Sequence, residues 1–525
     1  MPGNLIQPWS QQYEDYLRDE SRRVGSADSI SFPTTEAEVI AVIRQVRAQG
    51  GVITTQGART GIVAGAVPQG GHVLNLSRMN AIGEVQRDET SGEGSVTVQP
   101  GALLDDLREA VEKAGLFFPP DPTETSASIG GMVACNASGA MTFHYGPTRD
   151  WVRSLRAALS DGETIHLKRG ENRARGRSFS LTTDGGRVIA GQLPTYRMPN
   201  VKTAAGYFVA DDMGMIDLFI GMEGTLGVIT EVELRLIPKP QAIHGLTIFL
   251  PSEDAALKLV RILRGEPVEG LDAVASRPMA IEFLNSDALN LLRRAKAECS
   301  AFDSIPALKP HFHTAVYVEF HGENEEDVEE AVIRLMDTIM NLDGSDEDTW
   351  YATNDRELAP LHAFRHATPE AVNLRIDERK RACPELTKLG TDMSVPDAHL
   401  ETVMAMYDAD LADSGLESVI FGHIGNNHVH VNILPRDMEE YDRGKSLYLS
   451  WARRVVGLGG AVSAEHGIGK IKAPFLEIMY GEEGVAQMRA LKLLFDPEGA
   501  LNPGVITRPR VLRHARKCGI LNEDG

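Results

Sequence analysis

Two stretches far apart in the chain carry side chains able to act on a polarised oxygen. SVIFGHIGNNHVHVNILP (418–435) sets His423, His428 and His430 around a turn. Asn426 and Asn427 suit the centre of a tight hairpin, because asparagine tolerates positive φ. With those two at the tip, Gly425 faces His428, His423 faces His430 and Phe421 faces Asn432. Alternation then puts His428, His430 and Asn432 on one face of the second strand. Two imidazoles so placed could hold a divalent ion or could satisfy each other in a polar cleft, and spacing alone slightly favours the cleft. GGAVSAEHGIGK (459–470) adds Glu465 and His466 between glycines. A carboxylate with two imidazoles is an N/N/O set suited to Zn²⁺ or Mn²⁺, which tips the reading toward a metal.

Cations able to hold an acidic substrate lie upstream. LHAFRHATPEAVN (361–373) contains Arg365, whose planar fork matches a carboxylate, and RACPELTKLGTDMSVP (381–396) contains Lys388, a point charge. The commoner fate of either residue type is the surface. His362 and His366 read as structural or peripheral.

Three glycine-rich stretches suggest a second ligand. TTQGARTGIVAGAVPQGGHVLNLSRMN (54–80) follows a short strand and concentrates Gly57, Gly61, Gly65, Gly70 and Gly71. Glycines let backbone N–H groups curl around phosphate oxygens without Cβ clashes. The pattern is neither GxGxxG nor GxxxxGK[ST], so a plain turn is an equal reading of this stretch alone. DPTETSASIGGMVACNASGAMTFHYG (121–146) and GMEGTLGVITEVELRL (221–236) add further glycines with hydrogen-bonding side chains.

The elements that must position these groups fall into two rhythms. EAEVIAVIRQVRAQG (36–50) has Val39, Ile40, Ile43 and Val46 at helical spacing behind the candidate caps Thr34 and Thr35. Strands follow at 72–77 and 95–101 and a helix at 103–115, a mixed pattern that IPKP breaks near 240. From 241 to 345, strands alternate with helices, and 401–480 places a hairpin between helices. The expected units are 1–240, 241–490 carrying the histidines, and a C-terminal segment 491–525 that packs back on the first. Segment 169–200, rich in Arg, Gly and Ser, reads as a long surface loop.

Composition narrows the class. A formal net charge of −21 over 525 residues argues against a nucleic-acid partner, since that affinity needs Lys and Arg on phosphates. Four scattered cysteines, with no CxxC, supply no iron–sulfur or cysteine-zinc spacing. No apolar run approaches a membrane span, and the N-terminus lacks a secretory pattern. A cytoplasmic protein is expected, at most peripheral to the inner face of a membrane, and a homodimer is compatible with the chain.

The three glycine stretches, in this order, resemble the FAD-linked oxidoreductases that include D-lactate dehydrogenases, D-2-hydroxyglutarate dehydrogenase and the flavin subunit of glycolate oxidase, within the vanillyl-alcohol oxidase-type flavoproteins. The resemblance runs from about 16 to 504. It implies an α+β fold: a two-part FAD-binding domain of the vanillyl-alcohol oxidase type plus an α+β cap domain with an antiparallel sheet. It implies that Thr55, Gln56, Gly57, Ala58, Arg59, Thr60, Gly61, Gly65 and Ala66 form the pyrophosphate loop. It also implies that Pro120, Asp121, Ser128, Gly130, Gly131, Asn136, Ser138, Glu223, Gly224, Ile229 and Asn502 line the flavin. Some relatives attach FAD through histidine where this chain has Thr60, so non-covalent FAD is expected. The resemblance further implies His423, His430 and Glu465 as ligands of a divalent metal (Zn first, then Mn or Fe), Asn432 on the substrate, His466 as general base and Arg365 as the carboxylate-binding arginine. Lys388 lies in a matching segment. Relatives often carry Asp at the Asn426 position, which implies weaker metal binding here if that carboxylate orients a ligand. The implied substrate is a small D-2-hydroxy acid, with electrons passing to a separate acceptor such as a quinone, a cytochrome or an electron-transfer flavoprotein. A flavin subunit of a larger complex and an O₂-using oxidase are the alternatives.

Overall fold

Thr35 starts the first long helix, Glu36–Ala48, by accepting a hydrogen bond from Glu38 N at 3.2 Å. Val39, Val42, Ile43 and Val46 are buried on one face of that helix, against Ile53 and Leu74 of the neighbouring sheet. Each such side chain contributes about 1.5–3 kcal/mol by leaving water. The computed structural model describes residues 5–271 and 277–507. The sheet beneath the helix runs Gln7–Pro8, Ser29–Ser31, His72–Asn75 and Ile53–Gln56, with the last three strands parallel. Parallel strands require crossovers, and the helix supplies one.

The other half of the first unit is an antiparallel sheet. Its order is Gln86–Arg87, Gly94–Val98, Val228–Pro238, Val152–Ala158 and Thr164–Lys168, with Leu116–Phe117 also pairing on Val228–Pro238. Segment 169–200 is not the loop expected. It contains the hairpin Ser178–Thr182/Val188–Gln192, whose Phe179, Leu181 and Ile189 are buried in the core. The apolar alternation of those residues outweighs the polar composition around them.

A second antiparallel sheet forms the cap. It runs Thr349–Ala352, Ala242–Leu250, Thr314–Gly322, Ala280–Leu284, Ser418–Gly422, His428–Ile433 and Leu389–Gly390. Helices cover both faces: Ser286–Glu298 and Asp355–Lys380 pack with Phe249 and Leu284, and Glu253–Leu263 and Glu325–Met340 pack with Ile248 and Val316. After the helix Ala473–Phe495 the chain returns to the first unit, where Ile53 N donates to Ala500 O at 2.8 Å. Residues 508–525 of the expected C-terminal segment, with Cys518, lie outside the described residues. Cys135, Cys299 and Cys383 are free thiols. No described helix is long and apolar enough to cross a membrane.

Candidate active site

A cavity of about 740 Å³ lies where the first unit meets the cap. From the first glycine stretch it is lined by Thr55, Gly57, Ala58, Arg59, Thr60, Gly61, Gly65 and Ala66. Asp121, Ser128, Gly130, Gly131 and Ser138 of the second stretch line it too, as do Glu223, Gly224 and Ile229 of the third and Asn502 of the return segment. The first two stretches touch so closely that a Cβ on Gly57 would sit 2.1 Å from Ser128 Oγ, and the second packs on the turn after Gly94–Val98 so closely that one on Gly130 would sit 2.9 Å from Pro100 O. The Thr55 and Ser138 hydroxyls are buried and have no protein partner. A glycine-walled cradle with unsatisfied hydroxyls suits a large polar cofactor such as FAD, because buried polar groups need partners.

Three expected lining residues do not reach the cavity. Gln56 turns its amide to the Tyr16 and Ala66 carbonyls, at 2.7 and 2.8 Å. Asn136 ends the helix Ile129–Cys135 in the left-handed conformation, φ 49°, and its Oδ1 accepts from Arg149 N at 2.9 Å. The Pro120 carbonyl is taken by Arg108. Each serves the backbone around the cradle.

The histidine hairpin is closed by a turn longer than the spacing suggests. Ile424–Asn426 form one 3₁₀ turn, Asn427 is left-handed, and Arg264 donates to Ile424 O and Asn427 Oδ1 from beneath. The register therefore pairs Phe421 with His430, two residues away from the expected pairing with Asn432. An even slip keeps every side chain on its face, so the histidines still converge.

His423, His428, His430 and Glu465 bring ligand atoms within 4.8 Å of one another, and Asp392, His430, Glu465 and His466 form an overlapping group. His423 gives Nδ1 to Glu282 Oε1 at 2.7 Å, leaving Nε2 at 3.2 Å from Glu465 Oε1. The Nδ1 of His430 meets Thr391 O at 3.0 Å, and its Nε2 lies 3.3 Å from the same Glu465 oxygen. Two imidazoles oriented from behind, with one carboxylate oxygen between them, fit a small divalent ion. The other Glu465 oxygen is held by Lys202 Nζ at 2.6 Å. Burial alone would raise the Glu465 carboxyl, but His423 and Lys202 keep it well below the usual range.

His466 stacks on His430, with ring centroids 5.2 Å apart and planes 11° apart. Arg365 projects from the helix Asp355–Lys380 into the same cavity and rests against Asp121 at 3.3 Å and His366 Nε2 at 2.8 Å. An expected flavin contact is thus also the counter-ion of Arg365. Pro369, with no N–H, deprives the Arg365 carbonyl of its helical donor. Lys388 and Asn432 line the same cavity. Burial, then the nearby Arg22, pushes the Lys388 ammonium down to about 8.

Glu223 does more than line the cradle. Its carboxylate accepts from Ile468 N and Gly469 N at 2.8 and 2.7 Å, fastening the loop that carries Glu465 and His466. Asn502 braces it, donating to Glu223 O at 2.7 Å while accepting from Thr55 N at 2.8 Å. Sequence reasoning passed over Glu282, Asp392 and Lys202, and placed His428 on the hairpin face without giving it a role. Glu282 had a signal, a lone acid in the apolar strand Ala280–Leu284. Lys202 had none.

The family described as FAD linked oxidases, C-terminal domain, matches residues 239–506, about half the chain, and the FAD binding domain matches residues 27–168. The chain belongs to the FAD-linked oxidase family and is an FAD-linked oxidoreductase. Among curated relatives, a D-lactate dehydrogenase of Anaerostipes hadrus is 29% identical, covering 94% of this chain and 92% of its own. A D-2-hydroxyglutarate dehydrogenase of Xanthomonas citri pv. viticola is 29% identical over the same shares. The glycolate oxidase subunit GlcD of Bacillus subtilis is 28% identical, covering 91% and 88%. Among solved structures, an alkyldihydroxyacetonephosphate synthase superposes with TM-score 0.63 at 17% identity, over 96% of this chain and 82% of its own, a likeness of fold.

Proposed function

We propose that this protein oxidises a small D-2-hydroxy acid to the 2-oxo acid. The observation that carries the reading is the convergence, in one cavity, of a glycine cradle, the Arg365 guanidinium and the His423–His430–Glu465 cluster. Bound FAD would supply the hydride acceptor, and a bound divalent ion, Zn²⁺ ahead of Mn²⁺ or Fe²⁺, would supply Lewis acidity. The flavin cradle is assigned to the residues lining the cavity, and the metal to His423, His430 and Glu465. Arg365 binds the substrate carboxylate through its fork. Asn432 orients the substrate, and Lys388 adds a second charge. His466 takes the hydroxyl proton at Nε2. Electrons then leave to a separate acceptor. The test is anaerobic mixing with D and L hydroxy acids while watching the flavin band. Absence of bleaching with every acid would end the reading.

Two further outcomes are expected. Glu282→Gln leaves His423 without its orienting carboxylate, and metal affinity measured by competition with a chelator should fall about 10–100-fold. Lys388 is protonated below about pH 8 and neutral above it. KM for the acid should therefore rise above pH 8, by roughly 10–100-fold if a charged hydrogen bond is lost. That rise should vanish in Lys388→Arg, whose charge persists; an unchanged profile would remove Lys388 from the substrate site.

A further inference from the structure

We propose that Asp121 is a displaceable counter-ion on Arg365: it holds the place that the substrate carboxylate takes and yields it on binding, an inference that rests on the reading above. Two guanidiniums share this one carboxylate. Arg365 Nη2, from the cap helix Asp355–Lys380, lies 3.3 Å from Oδ2. Arg108 Nη2, from the helix Leu104–Glu112, lies 2.9 Å from Oδ1 and also donates to Pro120 O at 3.0 Å. The Asp121 backbone has no room to shift, since a Cβ on Gly139 would sit 1.6 Å from Asp121 O. Burial alone would raise the Asp121 carboxyl, but Arg365 and Arg108 keep it below the usual range. Glu282 and Glu319, the other acids whose charge acts on Arg365, are each committed to a histidine, His423 at 2.7 Å and His321 at 2.8 Å. Asp121 and its two arginines therefore carry one positive charge over, which the anion of a hydroxy acid balances.

A carboxylate grips a guanidinium with both oxygens along one of two edges, Nε with Nη2 or Nη1 with Nη2. Nη2 belongs to both edges, and its two hydrogens are taken, one by Asp121 Oδ2 and one by His366 Nε2 at 2.8 Å. The fork opens only when one of these partners leaves. An incoming anion repels Asp121 and not a neutral imidazole. His366 is such a ring, since burial, then Arg365, pushes it down to about 4. Asp121 also makes the longer of the two bonds, and turning Oδ2 aside leaves Oδ1 on Arg108. His366 stays as the brace that keeps the guanidinium in place. Removing the charge of Asp121 should thus strengthen carboxylate binding, the reverse of what damage to a binding site does.

The experiment measures, by calorimetry, the binding of pyruvate, a 2-oxo acid, to the oxidised, FAD-loaded full chain, where no turnover occurs. Asp121→Asn should bind it about 10–100-fold more tightly than wild type, because a like charge beside the bound anion is gone. Arg108→Gln should bind it about 3–30-fold more weakly, because Asp121 is left with Arg365 alone and vacates the fork less readily. A site merely disturbed would lose affinity in both variants. Unchanged or weaker binding in Asp121→Asn, or wild-type affinity in Arg108→Gln, would overturn the proposal. Arg365→Met keeps two failures apart. If it abolishes pyruvate binding while Asp121→Asn shows no tightening, this proposal falls and the reading of Arg365 stands; if it leaves binding undiminished, both fall. Should Asp121→Asn not retain FAD, Arg108→Lys decides: recovery of the affinity lost in Arg108→Gln supports the exchange of partners, and no recovery ends it.

Discussion

Glu465→Gln is expected to abolish metal-dependent turnover while FAD stays bound. Glutamine keeps the shape of the side chain but removes the one anion shared by His423 and His430. A metal that polarises the substrate oxygen is worth several kcal/mol, so the rate of flavin reduction should fall about 10²–10⁴-fold. A complication is built into the site, because the substitution strips the buried Lys202 ammonium of its counter-ion. Leaving a buried charge unpaired costs about 3–5 kcal/mol of stability. The double variant Glu465→Gln/Lys202→Met should recover that stability and none of the rate. Metal content measured beside thermal unfolding separates the two effects. Full turnover in a metal-free Glu465→Gln protein would show that no metal takes part.

Arg365→Met should lower kcat/KM for hydroxy acids about 30- to 5,000-fold, the range set by removing one partner of a buried charge pair, about 2–5 kcal/mol. The loss should fall mainly on KM if the fork only binds, and also on kcat if it aligns the reacting carbon. Arg365→Lys keeps the charge but cannot make two parallel bonds, so it should rescue in part. Asp121 bears on this result, since without Arg365 it keeps an ion pair with the half-buried Arg108. Unchanged kinetics in Arg365→Met would place the carboxylate elsewhere.

How much of this was legible depended on how local the cause was. The helix Glu36–Ala48 could be read because its cap and apolar stripe lie within its own residues. The cradle could be read because glycine density marks close backbone approach. The hairpin gave its histidine face but not its register, because Arg264, some 160 positions away, stabilises the longer turn. The strands at 178–182 and 188–192 were hidden by Arg, Gly and Ser around a short apolar alternation. Lys202 was illegible as a site residue because it meets Glu465 at a separation of 263, and Asp392 because its contacts with the 463–466 loop lie 71 or more positions away; Glu282 showed itself only as an acid in an apolar strand, since His423, its partner, is 141 positions on.

The reacting loop is sewn to both halves of the molecule. Asp392 holds it from the cap, while Glu223 and the Val63 carbonyl, which accepts from Lys470 N at 3.0 Å, hold it from the other side. A swing of one half away from the other would tear buried bonds that cost about 1–3 kcal/mol each to leave unmade. On the proposed reading a small acid enters without such a swing, past Arg22 and Arg23, exposed cations among the residues lining the cavity. The enzyme works as a vessel with a guarded neck, not as a pair of jaws.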